Sequence, residues 1–164
     1  MAHAARWIRL DPGGTLALHA ACAGFANSQP SRAVPAALWA RTDDGRFALA
    51  LIAPLKFAPG RSPRWRAWAL APLVAAYRQF GLRAYREPDG ICLGSRRIAT
   101  CDASAIGECA VVMSSFLPLK CNFMDAYRGR IESQHGWQFD HSWPSAAERE
   151  AIADALAGEK ADAK

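Results

Sequence analysis

The run Tyr85-Arg86-Glu87-Pro88-Asp89-Gly90-Ile91, followed closely by Gly94-Ser95-Arg96-Arg97-Ile98-Ala99-Thr100, limits the fold of this chain more than any other stretch. It contains two reversals. Proline presets φ while aspartate and glycine tolerate the bend at Pro88-Asp89-Gly90, and Gly94-Ser95 supplies the second turn. Three short strands are therefore predicted over 82–86, 91–93 and 97–102, with a fourth over 109–117. Side chains alternate along a strand, so Arg96 and Arg97 are expected on opposite faces. Arg96 should then lie in solvent or pair with Glu87 or Asp89.

The flanking residues supply the other elements. Residues 6–10 form a possible first strand, closed by the turn Asp11-Pro12-Gly13-Gly14. Residues 15–25 are predicted helical, capped by Thr15, with Leu16, His19, Ala20 and Ala23 on one face. Residues 27–35, with two prolines, form a surface loop. A hairpin is expected from 38–41 and 46–54 around Thr42-Asp43-Asp44-Gly45, and its second strand lacks a polar face, so both of its sides should be covered. Ser62-Pro63 cap the longest helix, 64–80, which Pro72 should kink or break. Trp65, Trp68, Leu73, Ala76 and Phe80 form its apolar stripe. Beyond Pro118, residues 123–133 are expected to be helical, 136–144 an irregular aromatic loop, and 145–157 a helix opened by a Ser145/Glu148 capping box.

A chain of 164 residues buries roughly two-thirds of its unfolded surface, which fits one α+β domain over 1–157 with a disordered tail over 158–164. Helices should pack on a mainly antiparallel sheet. No apolar run is long enough to span a membrane, and Arg6 and Arg9 fall where a secretory leader needs its apolar segment. A cytoplasmic protein is expected. The net charge of +5 comes from sixteen arginines and four lysines, scattered without the stripe or motif that nucleic-acid binding requires. Five cysteines without a Cys-x-x-Cys pair give no support to a zinc ribbon or a redox motif.

The 85–100 segment resembles the central hairpin of the biotin and lipoate protein ligase superfamily, in which a glycine-arginine-lysine-isoleucine-alanine-glycine run carries an essential lysine. Residues 39–54 resemble that family's strand pair and 65–81 its following helix, so the likeness spans about 38–117. It implies the class II synthetase-like ligase fold, an acyl or biotin-like small molecule as ligand, and a carrier-protein domain as partner. ATP is implied only if ligase activity is retained. On the same basis Arg97 occupies the catalytic lysine position, with Arg41, Asp89, Ser95, Arg96 and Thr100 as the ligand-binding set. Three departures stand out. Arg97 replaces the lysine, Thr100 replaces the last glycine, and residues 28–37, at the position of the acyl-binding loop, contain no glycine. Arginine keeps the charge but does not shuttle a proton near neutral pH, so adenylate formation should be lost or severely weakened.

The octanoyl transferases of the superfamily carry a cysteine after the strand that follows the hairpin, and Lys120-Cys121-Asn122 falls in a comparable region. Cys121 is thus a second catalytic candidate, since a neighbouring cation raises the thiolate fraction. His135, His141 and Asp140 match no metal-ligand spacing, and the flanking Trp137, Phe139 and Trp143 suggest local packing; no metal is expected. Three functions follow: a divergent ligase-like binder with weak or no ligase activity, an acyltransferase using a thioester donor through Cys121, or a non-catalytic interaction subunit, including a homo-oligomer.

Overall fold

The structure is a computed structural model that describes residues 2–11, 15–30, 32–42, 44–120 and 122–162. Among these, eight strands form a single sheet and four α-helices cover it. The strands are β1 (His3–Arg9), β2 (Ala36–Arg41), β3 (Phe47–Pro54), β4 (Ala84–Glu87), β5 (Gly90–Leu93), β6 (Arg96–Ile106), β7 (Cys109–Phe116) and β8 (Trp137–His141). The helices are α1 (Thr15–Asn27), α2 (Trp65–Gln79), α3 (Phe123–His135) and α4 (Ala146–Asp162). The sheet order is β4-β5-β6-β7-β3-β2-β1-β8, antiparallel from β4 to β2, with β1 parallel to both β2 and β8. The α+β, mainly antiparallel expectation is met.

Strand alternation divides the core into two layers. Phe47, Leu49, Leu51 and Ala53 of β3 face α2 and α3, where Leu70, Leu73, Tyr77, Phe123 and Tyr127 are packed. Ala48, Ala50 and Ile52 face the other way, against Leu18, Cys22 and Phe25 of α1. A strand buried on both sides has no place for a polar residue, which explains its composition. Each fully buried large side chain here is worth roughly 1.5–3 kcal/mol. Helix α4 lies on the outside of α1, and the two approach closely at Gly24, where a Cβ would come within 2.6 Å of the Ala151 carbonyl oxygen. The capping box forms as expected: Ser145 N donates to Glu148 Oε1 at 2.8 Å and Glu148 N to Ser145 Oγ at 3.2 Å.

Several local expectations are corrected. The buried face of α1 is Leu18, Ala21, Cys22, Phe25 and Ala26, while His19 is exposed. The small residues around it allowed either face, and packing on β3 selected the one carrying phenylalanine. Pro72 neither breaks nor ends α2, because its neighbours Leu70, Leu73 and Val74 are anchored in the core. Ser62 does not cap that helix: Ser62–Arg64 is a separate 3-10 turn without a side-chain cap. Residues 137–141 form an edge strand rather than a loop, with Trp137 and Phe139 buried; Trp143, by contrast, is 79% exposed. Helix α4 continues past Gly158 to Asp162. The turn at Pro12-Gly13-Gly14 lies outside the described residues.

Candidate functional site

A one-residue irregularity in β6 decides where the arginines point. Ile91 pairs with Ala99 but Cys92 pairs with Arg97, so Ile98 is an extra residue in the ladder. Such a bulge shifts the alternation by one. Ile98 and Ala99 both enter the α2/α3 core layer, and Arg97 moves onto the same face as Thr100 and Asp102, which regular alternation would forbid for both. The Ile98 carbonyl accepts hydrogen bonds from Leu117 N at 3.1 Å and from Arg46 Nη2 at 3.1 Å.

On this face, beside the exposed side of α1, lies a groove of about 470 Å³. Arg46, Arg97, Asp44 and Asp102 supply its charges, His19, Thr100 and Ser115 its other polar groups, and Ala48 and Met113 its apolar floor. Arg46 is half-buried and held by the Ile98 carbonyl, by Ser115 Oγ at 3.3 Å from Nε and by the Ser115 carbonyl at 3.4 Å from Nη2. It forms no ion pair among the described residues. Asp44 accepts from the Thr42 hydroxyl and from Arg46 N, and these bonds hold its carboxyl below the usual range.

Arg97 is differently placed. Its side chain is 41% exposed, Nη1 lies 2.9 Å from Asp89 Oδ1, and Nη2 lies 3.9 Å from Glu87 Oε2. The hydrogen bond to Asp89 pushes the guanidinium pKa up and holds the Asp89 carboxyl below its usual value, so both groups stay charged. A cation compensated in this way cannot take the proton-carrying part of a lysine.

The structure thus brings Arg97 and Thr100 together in the groove, with Asp89 behind Arg97 as its counter-ion. Of the two outcomes expected for Arg96 the solvent-exposed one is found, and it is Arg97 that pairs with Asp89 and Glu87. Arg96 and Ser95 are exposed at the β5–β6 turn, outside the groove lining. Arg41 is exposed at the end of β2 and does not line the groove either. The described residues among 28–37 do not border it: Pro30 instead sits with Pro54, Leu55, Lys56 and Glu108 at the opposite end of β3. The β2–β3 turn takes that place. Sequence reasoning missed Arg46, although the signal was available: counting back two residues at a time from Ile52 through Ala50 and Ala48 puts Arg46 on that face.

Cys121 lies outside the described residues. Burial pushes the Cys22 thiol up to about 12 and that of Cys101 to about 11, and raises Cys109 as well, so these three are poor nucleophiles at neutral pH. His135 stacks on Trp68 with ring centroids 4.4 Å apart, and His141 Nε2 meets Arg128 Nη1 at 3.0 Å. Among the described residues no three His, Cys, Asp or Glu side chains gather as metal ligands would. No helix among them is long and apolar enough to cross a membrane.

No protein-family model and no curated protein matches this sequence. Solved structures do match. A bi-partite lipoate protein ligase from Thermoplasma acidophilum, studied with its E2 lipoyl domain, superposes with a TM-score of 0.84 at 10% identity, covering 94% of this chain and 92% of that one. A lipoate-protein ligase A bound with ATP gives 0.74 at 10% identity over 96% and 95%. The biotin acetyl coenzyme A carboxylase synthetase of Helicobacter pylori, with bound biotinylated ATP, gives 0.55 at 11% over 80% and 75%. At these identities the likeness establishes the fold, which is the one the 85–100 hairpin implied.

Proposed function

We propose that a chain built on the lipoate and biotin ligase fold here holds a carboxylate-bearing acyl ligand in the groove between Arg46 and Arg97, with ligase activity weak or absent. The observation that carries this is Arg46: a half-buried guanidinium, oriented by two carbonyls and lacking an ion-pair partner among the described residues, at one end of a floor made of Ala48 and Met113. With Nε and Nη2 taken up by Ser115 and Ile98, Nη1 keeps two N–H groups to meet a carboxylate, and the apolar floor covers the attached chain. The lipoate and biotin ligases named above support a small molecule of that class and a carrier-protein domain as the partner. ATP does not fit the residues present. Asp44 and Asp102 would repel the phosphates, Arg97 is engaged with Asp89, and no lysine among the described residues lines the groove.

Thermal-shift titration with octanoate, lipoate and biotin tests this. At about 100 times its dissociation constant a bound ligand adds about 2.7 kcal/mol of stability. At least one of the three is expected to stabilise the wild type and the Arg96→Ala variant, and to lose its effect in Arg46→Met. Absence of any shift, or an equal shift in Arg46→Met, would overturn the proposal.

A further inference from the structure

On the other side of the sheet, α2 turns its outer stripe, Ala71, Val74, Ala75 and Arg78, into the floor of a groove of about 580 Å³. Arg86 of β4 stands on one side, and Arg130 and Gln134 of α3 on the other. A second hollow of about 420 Å³ continues from it past Arg78 to Arg83 and Tyr85. None of Arg78, Arg83, Arg86 and Arg130 forms an ion pair among the described residues, whereas Arg6, Arg97 and Arg128 each have a carboxylate partner. Two of the four are held in place through Nε alone: Arg78 donates to the Ala84 carbonyl at 3.0 Å and Arg130 to Gln79 Oε1 at 3.0 Å. Their terminal nitrogens remain available, four N–H groups each.

We propose that this arginine track is a docking surface for an acidic polypeptide segment of a partner protein. Its length argues against a small anion, since the stripe from Ala71 to Arg78 alone runs about 10 Å and the second hollow extends it. Its floor argues against nucleic acid. Methyl-sized side chains receive the aliphatic residues of a peptide, and no aromatic ring lines the larger hollow on which a base could stack. Strand β4, whose only strand partner among the described residues is β5, also leaves a main-chain edge beside the track for an extended segment to meet. The charge selects an acidic occupant and makes association salt-dependent.

The probe is a fluorescein-labelled peptide of alternating Glu and Leu, followed by anisotropy. Saturable binding is expected, weakened about tenfold or more in Arg78→Glu/Arg130→Glu and in the milder Arg83→Gln/Arg86→Gln, and unchanged in Arg32→Glu/Arg61→Glu, whose side chains lie elsewhere on the surface. Circular dichroism checks that each variant folds. No binding of the peptide, equal weakening by the Arg32/Arg61 pair, or tighter binding of an oligothymidylate of matched charge would overturn the proposal.

Discussion

Glu148 is the most heavily bonded carboxylate in the described structure, and its removal should be the most informative single change. Its two oxygens accept hydrogen bonds from Arg6 Nη1 at 2.7 Å, Arg6 Nη2 at 2.9 Å, Gln29 Nε2 at 2.6 Å and Ser145 N at 2.8 Å. These donors come from β1, from the chain leaving α1 and from the start of α4, so one side chain ties three segments together. Burial alone would raise its pKa; the bonds from Arg6, Ser145 N and Gln29 outweigh it and bring the carboxyl from 4.5 to about 2. At about 1.36 kcal/mol per pKa unit this is roughly 3 kcal/mol, and somewhat less because Arg6 stays partly solvated. The folded state binds this proton more weakly than the unfolded state does. The contribution is therefore complete above about 4.5 and disappears as the pH falls through about 2. Urea unfolding of wild type and Glu148→Gln should show a gap of about 2–3 kcal/mol at pH 7, closing steadily between pH 4.5 and 2. A gap that is the same at both ends of that range, or under about 1 kcal/mol at pH 7, would refute the reasoning.

Other outcomes follow from the same structure. Gly90→Ala should cost about 3 kcal/mol or more in denaturant melts, because its Cβ would lie 2.2 Å from the Ala99 carbonyl oxygen and force β5 from β6. Burial lowers the His135 pKa to about 4, so its NMR titration should be complete well below 6.5, and stability should decline as pH drops from 6.5 towards 4 while the unfolded chain gains the proton first. After incubation with octanoyl thioester, mass spectrometry should find no adduct on Cys22, Cys101 or Cys109; a labile adduct on Cys121 would make the protein a transferase instead of a binder.

Turn chemistry made the sheet legible. Pro88-Asp89-Gly90 and Gly94-Ser95 located β4, β5 and β6, and the unbroken apolar run of β3 announced a strand covered on both faces. Where two physical solutions were equally open locally, the sequence did not choose. The alanines of α1 permitted either face, and Trp137-Gln138-Phe139 has the period of a strand yet is so short and aromatic that pairing with β1 had to decide it. The candidate site suffered most from phase. Arg41 and Arg46 flank the same turn, and only the facing of Phe47, Leu49 and Leu51 into the α2/α3 layer identifies Arg46 as the residue on the groove side.

The additional residue in β6 works like an inserted stitch. Flattening the bulge with Ile98 kept in the ladder would leave the protein's charge and composition intact while turning every β6 side chain upstream of Ala99 to the reverse of the cloth, whereas deleting Ile98 would leave Arg97 opposite Cys92 on the groove face. Two relatives alike in residue type along this strand, one bulged and one regular, could share a fold and still present different cations to a ligand, so aligning them by residue type alone would match the wrong arginines.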